Sequence, residues 1–177
     1  MNIEYEVRVL EIDKDKIIKK IEEQGGSFVG KHEQKRYVYD FNPKVEGKWI
    51  RLRTNGNKTT LTIKEITAST IDGTKELEID VSSFDDTHEM LKELGYLPKA
   101  YQENRRTRYM LNGVEVDIDE WPMIPTYLEI EGKNEQEVNS IIEVLNIEQS
   151  KITSAGVQSI YNDIYGIDID SIETLKF

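Results

Sequence analysis

From Ile3 to Glu131 apolar side chains recur mostly at every second position, and four shorter stretches carry them at three-to-four spacing. Alternation marks half-buried strands, and the longer period marks amphipathic helices. The first strand is expected at about Ile3–Ile12, with Ile3, Tyr5, Val7 and Val9 on one face. A helix over about Asp13–Gln24 follows, capped by Asp13, striped by Ile17, Ile18 and Ile21, and ended by Gly25-Gly26. Strands at Lys35–Phe41, Lys48–Thr54, Lys58–Glu65 and Gly73–Val81 come next, with Asn55-Gly56 a hairpin turn. A second helix opens at Ser82 or Ser83, turns Phe84, Leu91 and Leu94 inward, and stops at Gly95. Strands at Tyr101–Leu111 and Val114–Asp119 hinge on Asn112-Gly113, and Tyr127–Glu131 follows the turn at Trp121-Pro122. Asn134 and Glu137 form a capping box for a helix striped by Val138, Ile141, Ile142 and Leu145. A last helix near Ser154–Tyr165 carries Val157, Ile160, Tyr161 and Ile164. Eight or so hairpin-connected strands with about four helices predict a single α+β domain with a largely antiparallel sheet curled toward closure into a barrel.

The other face of these strands is charged, and the charges come in like-signed pairs spaced i, i+2. The pairs are Glu4/Glu6, Arg51/Arg53, Glu76/Glu78, Arg106/Arg108 and Glu129/Glu131. Such pairs aim two equal charges at one place, which is costly unless opposite charge lies between them. Acidic pairs call for a divalent cation and basic pairs for phosphate or carboxylate. Two readings stay open: the charged face looks to solvent, or it lines a lumen while the apolar face lies under helices. The repetition of matched Arg and Glu pairs favours the lumen.

Composition narrows the chemistry. There is no Cys, and His32 and His88 fall in unrelated segments, one expected in a loop and one on the solvent side of a helix. Thiolate sites, His-rich zinc sites and histidine triads are therefore not expected. A net charge of −11 disfavours nucleic acid and anionic membranes as partners. No apolar run is long enough to span a membrane and the N-terminus shows no signal-peptide pattern, so the expected compartment is the cytoplasm. All seven arginines (Arg8, Arg36, Arg51, Arg53, Arg105, Arg106, Arg108) fall in expected strands, whereas lysines populate helices and loops. Arg presents a planar fork that matches phosphate oxygens.

Glu4-x-Glu6-x-Arg8 resembles the Glu-x-Glu-x-Lys signature of the CYTH superfamily, the triphosphate tunnel metalloenzymes. Further segments resemble the family in order: Arg51-Leu52-Arg53, Leu61-Thr62-Ile63-Lys64, Glu76-Leu77-Glu78, Arg105-Arg106-Thr107-Arg108-Tyr109, Val116-Asp117-Ile118-Asp119 and Tyr127-Leu128-Glu129-Ile130-Glu131-Gly132. Each piece alone is weak, and the ordered set is specific. The resemblance implies an eight-stranded antiparallel tunnel that holds a triphosphate and one or two divalent metals. It departs at Arg8, where the family has Lys; a guanidinium keeps its proton, so a base role there is not expected. It also leaves the late basic position to Lys151, in surroundings that match loosely.

On this resemblance Arg51, Arg53, Lys64, Arg106, Arg108 and Lys151 are expected to bind substrate phosphates, with Arg8 near the leaving or terminal phosphate. Glu4, Glu6, Asp119, Glu129 and Glu131 are expected to hold Mg²⁺ or Mn²⁺, since hard oxygen donors suit these ions. Glu4, Glu6, Arg8 and Glu78 form the expected catalytic group, with Glu78 orienting an arginine or water and Asp117 supporting Asp119. Arg105 points the opposite way from Arg106. Tyr37, Tyr39, Trp49, Trp121 and Tyr127 are expected as core or lid aromatics. The expected reaction is hydrolysis of a small-molecule triphosphate, inorganic tripolyphosphate or an organic one, by metal-assisted direct attack. The alternatives are a class IV adenylate cyclase, to which the Trp121–Gly132 stretch is similar, and a non-catalytic polyphosphate- or nucleotide-binding module. Whether the chain forms a homodimer stays open.

Overall fold

The structure, a computed structural model, describes residues 1–177. Eight long strands run in chain order: β1 (Asn2–Val9), β2 (Ser27–Asp40), β3 (Lys48–Thr54), β4 (Thr59–Ile66), β5 (Thr74–Val81), β6 (Pro98–Leu111), β7 (Val114–Glu120) and β8 (Tyr127–Gly132). Their order around the sheet is β6-β2-β3-β4-β5-β1-β8-β7, and β7 pairs back onto β6, so the sheet closes. All these pairings are antiparallel. Short strands β9 (Ile152–Thr153) and β10 (Thr174–Leu175) attach to β1 and, in parallel, to β6. The chain turns from β6 to β7 at Asn112-Gly113, whose φ values of 53° and 83° suit a tight hairpin.

Helices α1 (Lys14–Glu23), α2 (Phe84–Glu93) and α3 (Glu135–Val144) lie outside the barrel, with a short α4 (Val157–Ser159) that continues as a π turn to Ile164. Asp13, Ser83 and Asn134 cap the three longer helices through their side chains. The outward apolar face of β1, β7 and β8 (Val7, Val9, Val116, Ile118, Leu128, Ile130) buries against Ile17 and Ile21 of α1 and Val138, Ile141 and Ile142 of α3. Tyr39, Ile50 and Leu52 bury against Phe84 and Leu91 of α2. Ile160, Tyr161, Ile169 and Leu175 of the C-terminal segment close over Trp121, Ile124 and Tyr127. Fully burying each such side chain contributes about 1.5–3 kcal/mol. The barrel is therefore inside out relative to a common sandwich, with apolar residues under helices and charged residues in the lumen.

Several expectations change. The strand β2 begins at Ser27, so His32 lies in a strand rather than a loop. The first strand ends at Val9 rather than Ile12, and β6 begins at Pro98. His88 does not face solvent: it stacks on Tyr37 at 4.0 Å and its Nδ1 bonds the Tyr39 hydroxyl at 2.7 Å. Leu94 is 67% exposed rather than inward, because α2 ends at Glu93 and the chain turns at Gly95. The last helix is one α turn and a π turn that leaves Ile164 exposed.

Candidate active site

Strand register decides which side chains share the lumen. Directly paired residues point to one face, so the chain of pairs Arg36↔Arg53, Arg53↔Thr60, Arg51↔Thr62, Thr62↔Glu78 and Lys64↔Glu76 lies on one surface. Around the closure the same surface continues through Glu6↔Glu131, Arg8↔Glu129, Glu129↔Asp117, Tyr127↔Asp119, Asp119↔Arg106 and Asp117↔Arg108. Every like-charged pair noted in the sequence thus faces inward, as does Asp117. Arg105 faces out, where it pairs with Glu33 and stacks on Phe177 at 4.0 Å.

The lumen is acidic on one wall and basic on the other. On the acidic wall Arg8 spans Glu6 at 2.9 Å and Glu129 at 2.7 Å, and donates to the Ala155 carbonyl at 3.0 Å. Lys64 bridges Glu4 and Glu76, both at 2.8 Å. Arg106 holds Asp119 through two bonds of 2.7 and 2.5 Å, and also reaches Glu129 and Asp117 at 2.8 Å. Arg108 is held by Asp117 and Glu115. Burial acts to raise the Glu129 pKa, but Arg8 and Arg106 outweigh it and hold the group well below the usual carboxylate range. Glu131 has no such partner. Burial, then Glu129, Glu4, Glu6 and Glu115, push it up to about 8, and burial raises Glu4 to about 7 despite Lys64.

On the basic wall three arginines converge with little to balance them. Arg51 reaches Glu76 and Glu78 only at 3.5 Å, and Arg53 reaches Glu78 at 3.6 Å. Arg36 forms no ion pair, and Asp119 is the carboxylate that acts on it from a distance. The Arg36 guanidinium donates to the amide oxygens of Gln34 (3.3 Å) and Asn104 and lies over the Trp121 ring at 4.6 Å. Burial, then Arg51, Arg53 and Arg106, lower the Arg36 pKa well below its ordinary value; Arg51 and then burial lower Arg53 to about 10. Buried Nε groups of Arg36 and Arg51 have no hydrogen-bond partner. Buried cationic donors without partners are costly, and an anion between them would remove the cost.

The lumen opens at two ends. A cavity of about 210 Å³ at one mouth, beside Trp49, is lined by Glu6, Arg8, Arg36, Arg51 and Lys64 and by Val45, Trp49 and Val157. The other mouth is lined by His32, Lys58, Arg53, Arg106, Arg108 and Glu78, with Val29 its single apolar residue. Of the aromatics expected in core or lid, Tyr37, Tyr39, Trp121 and Tyr127 pack in cores, whereas Trp49 lines the first of these mouths. Lys151 is exposed in a 3-10 turn and lines neither mouth, so it does not join the other expected phosphate ligands. Arg36 was not singled out by the sequence pattern; its cross-strand pairing with Arg53 reveals it.

A metal fits by donor chemistry rather than by a finished cage. No three carboxylates converge on one point. Glu131, raised by neighbouring carboxylates and lacking a cationic partner, carries the excess negative charge that a hard divalent ion would relieve. Glu4 and Glu6 lie beside it on β1. Asp119 and Glu129, expected as metal ligands, are engaged by guanidinium groups instead.

The CYTH domain matches residues 2–156 of the sequence. The chain belongs to the CYTH family. The PH1012 protein from Pyrococcus horikoshii OT3 is 25% identical, with 87% of this chain and 96% of that one aligned at a TM-score of 0.75. A putative adenylate cyclase from Vibrio parahaemolyticus has the same fold at 11% identity and a TM-score of 0.76, over 90% of this chain and 97% of that one. A putative adenylyl cyclase from Hippeastrum, described as having a dominant triphosphatase activity, aligns over 94% and 97% at 16% identity and a TM-score of 0.60. No curated protein matches this sequence. These likenesses place the closed barrel in the CYTH tunnel fold, a family that includes triphosphatases and adenylate cyclase-like proteins.

Proposed function

We propose that this CYTH protein is a metal-dependent triphosphatase, acting on tripolyphosphate or an organic triphosphate held in the lumen. The observation that carries this reading is the cluster of Arg36, Arg51 and Arg53 beside Arg106, balanced only by long contacts of Arg51 and Arg53 to Glu76 and Glu78 at 3.5–3.6 Å and with the buried Nε groups of Arg36 and Arg51 unpartnered. Such a cluster is stabilised only by an anion of high charge, and a triphosphate offers several oxygens to a set of planar forks. Arg36, Arg51, Arg53 and Lys64 bind phosphate oxygens. Arg106 and Arg108, held by Asp117 and Asp119, supply fixed positive charge toward the mouth beside His32.

Glu4, Glu6 and Glu131 would hold Mg²⁺ or Mn²⁺. Bound there, the ion neutralises phosphate charge and acts as a Lewis acid on a phosphoryl oxygen. The chain has no Cys and no paired His, so direct attack by water is the simplest path. A water oxygen bonds the terminal phosphorus, the bridging P–O bond breaks with its electron pair leaving on the diphosphate, and the proton that the water gives up passes to a phosphate oxygen. Arg36, Arg51 and Arg53 stabilise the charge that shifts onto the leaving diphosphate. Glu78, which accepts from Thr62 at 2.9 Å and lines the mouth beside His32, orients the water. Arg8 retains its proton and acts by charge alone.

The mouth beside Trp49, Val45 and Val157 leaves room for the organic part of a nucleotide, which keeps cyclisation of ATP as the second reading. The test is metal-dependent orthophosphate release by the wild type and by an Arg51→Ala/Arg53→Ala double variant. Loss of at least a hundredfold in kcat/KM, about 3 kcal/mol, is expected. Equal rates in both proteins would remove the basic wall from the mechanism.

A further inference from the structure

We infer that the mouth beside His32 is a site for a single phosphoryl group, and that the orthophosphate released from the end of the substrate occupies it and leaves there. The source of the phosphate rests on the triphosphatase reading above, whereas the site itself rests on the donors at this end of the lumen. Thr60 is the decisive one. It lies on the lumen face directly across from Arg53, it is 4% exposed, and its hydroxyl has no hydrogen-bond partner although the residue lines the cavity. Buried hydroxyls are nearly always paired, so an unpaired one facing a cavity marks the place of a group that the chain does not supply. Asn104, buried on the same face opposite Gln34, likewise has an amide nitrogen without a partner. The imidazole of His32 is seated by the absence of a side chain at Gly30, where a Cβ would lie 2.9 Å from Nε2.

The two mouths differ in what they can hold. The cavity beside Trp49 mixes Asp40, Glu46 and Asp170 with its cations and offers apolar side chains to an organic group. The cavity of about 240 Å³ beside His32 has Val29 as its single apolar residue and Glu78 as its single carboxylate. It has no surface for a ring or a base. Its donors, the Arg53 guanidinium, the His32 imidazole and the Thr60 hydroxyl, suit the oxygens of a small tetrahedral anion. Lys58 is exposed and held by Asp80 at 2.8 Å, so it adds charge at the rim. Arg51 lines the first cavity and Arg53, two residues further along β3, lines the second, so a phosphate chain bound by both runs from one toward the other. The terminal phosphate then points toward His32, at the end that Glu78 also lines. Orthophosphate formed there meets unpaired donors ahead of it, while the diphosphate fills the way back past Arg36 and Arg51.

The test titrates inorganic phosphate into the full chain, without metal, and follows backbone and imidazole signals by nuclear magnetic resonance. Saturable shifts at His32 and Thr60 are expected. Thr60→Val keeps the shape of the side chain and removes its hydroxyl, and it should weaken phosphate at this mouth about tenfold, as loss of a hydrogen bond to a charged group does. Should Thr60→Val fail to fold, His32→Gln provides the second variant, with a weakening expected and an unchanged affinity overturning the inference. Shifts confined to the residues around Trp49 and Val157, or an unchanged affinity in a folded Thr60→Val, overturn it as well. The same phosphoryl chemistry is carried by the end of a longer polyphosphate. Tetrapolyphosphate that shifts His32 and Thr60 where orthophosphate does not would overturn the assignment to released product. Turnover is not read in this experiment, so failure of the triphosphatase reading appears separately, as absence of product from hydrolysable triphosphates.

Discussion

Arg36→Met should make the protein more stable and its ligand binding weaker, a combination that only a functional charge produces. Arg36 is 7% exposed and its guanidinium finds amide oxygens, the Trp121 ring and three neighbouring guanidinium groups, but no anion. Desolvating one ion costs several kcal/mol even after relaxation. Against that, bonds from a charged donor contribute about 1.5–3 kcal/mol each, and the contact with Trp121 about 1 kcal/mol. Repulsion from Arg51, Arg53 and Arg106 tips the balance toward destabilisation. Met has similar length and no charge, and Gln34 and Asn104 lose a donor when it replaces Arg36. The net gain is about 1–2 kcal/mol, in the range seen when buried ionic groups give way to apolar ones. For a chain of this length that is about 3–6 °C in Tm. Thermal denaturation would read it, repeated with saturating tripolyphosphate. A ligand present at 100 times its Kd raises stability by about 2.7 kcal/mol, and the variant should lose most of that rise. A destabilised Arg36→Met, or one with an undiminished ligand-induced shift, would refute the view that Arg36 awaits an anion.

Arg106→Met should behave in the opposite way. It leaves Asp117, Asp119 and Glu129 without their shared partner, and loss of about 3–5 kcal/mol is expected in urea denaturation; a loss below 1 kcal/mol would show the network to be dispensable. Metal-free protein should also lose stability as pH rises from about 5 to 8.5. Glu4 and Glu131 have folded-state pKa values raised to about 7 and about 8, so their contribution is complete below the unfolded value near 4.5 and fades through these higher values. A move from 4.5 to about 8 sets a ceiling of about 5 kcal/mol; with water entering at the mouth, about 2 kcal/mol is expected. Saturating Mg²⁺ should flatten this slope, and Tm values across pH with and without the ion would check it. A metal-free protein whose stability rises over that range would contradict the assignment of unpaired acids.

The inward charges were legible because they sit on a strict two-residue period. Glu4/Glu6, Arg51/Arg53 and Glu129/Glu131 each repeat on one face, and a repulsive pair is hard to explain on a solvated strand. Closure followed from the number of hairpins. What stayed hidden lacks either period or repetition. The first half of β2, Ser27–Gln34, is held by pairing with β6 rather than by burial, so hydropathy carries little trace of it. Arg36 stands alone between Gln34 and Val38 on its face, and only the register with Arg53 shows that it joins the arginine cluster. Lys151 attracted attention by charge and position along the chain, but it sits exposed in a 3-10 turn and lines neither mouth. The division of the acidic wall between guanidinium groups and Glu131 is a matter of reach between strands, which spacing within one strand does not encode.

The central claim is that the lumen binds a triphosphate and cleaves it with a divalent ion. Its most direct test is product analysis by ³¹P nuclear magnetic resonance, with tripolyphosphate, ATP and thiamine triphosphate each incubated with Mg²⁺ or Mn²⁺. Orthophosphate with the corresponding diphosphate, formed only with metal, is the predicted result. Pyrophosphate with cyclic AMP would hand the same cradle to cyclisation, and absence of product from all three would contradict catalysis and leave a binding protein.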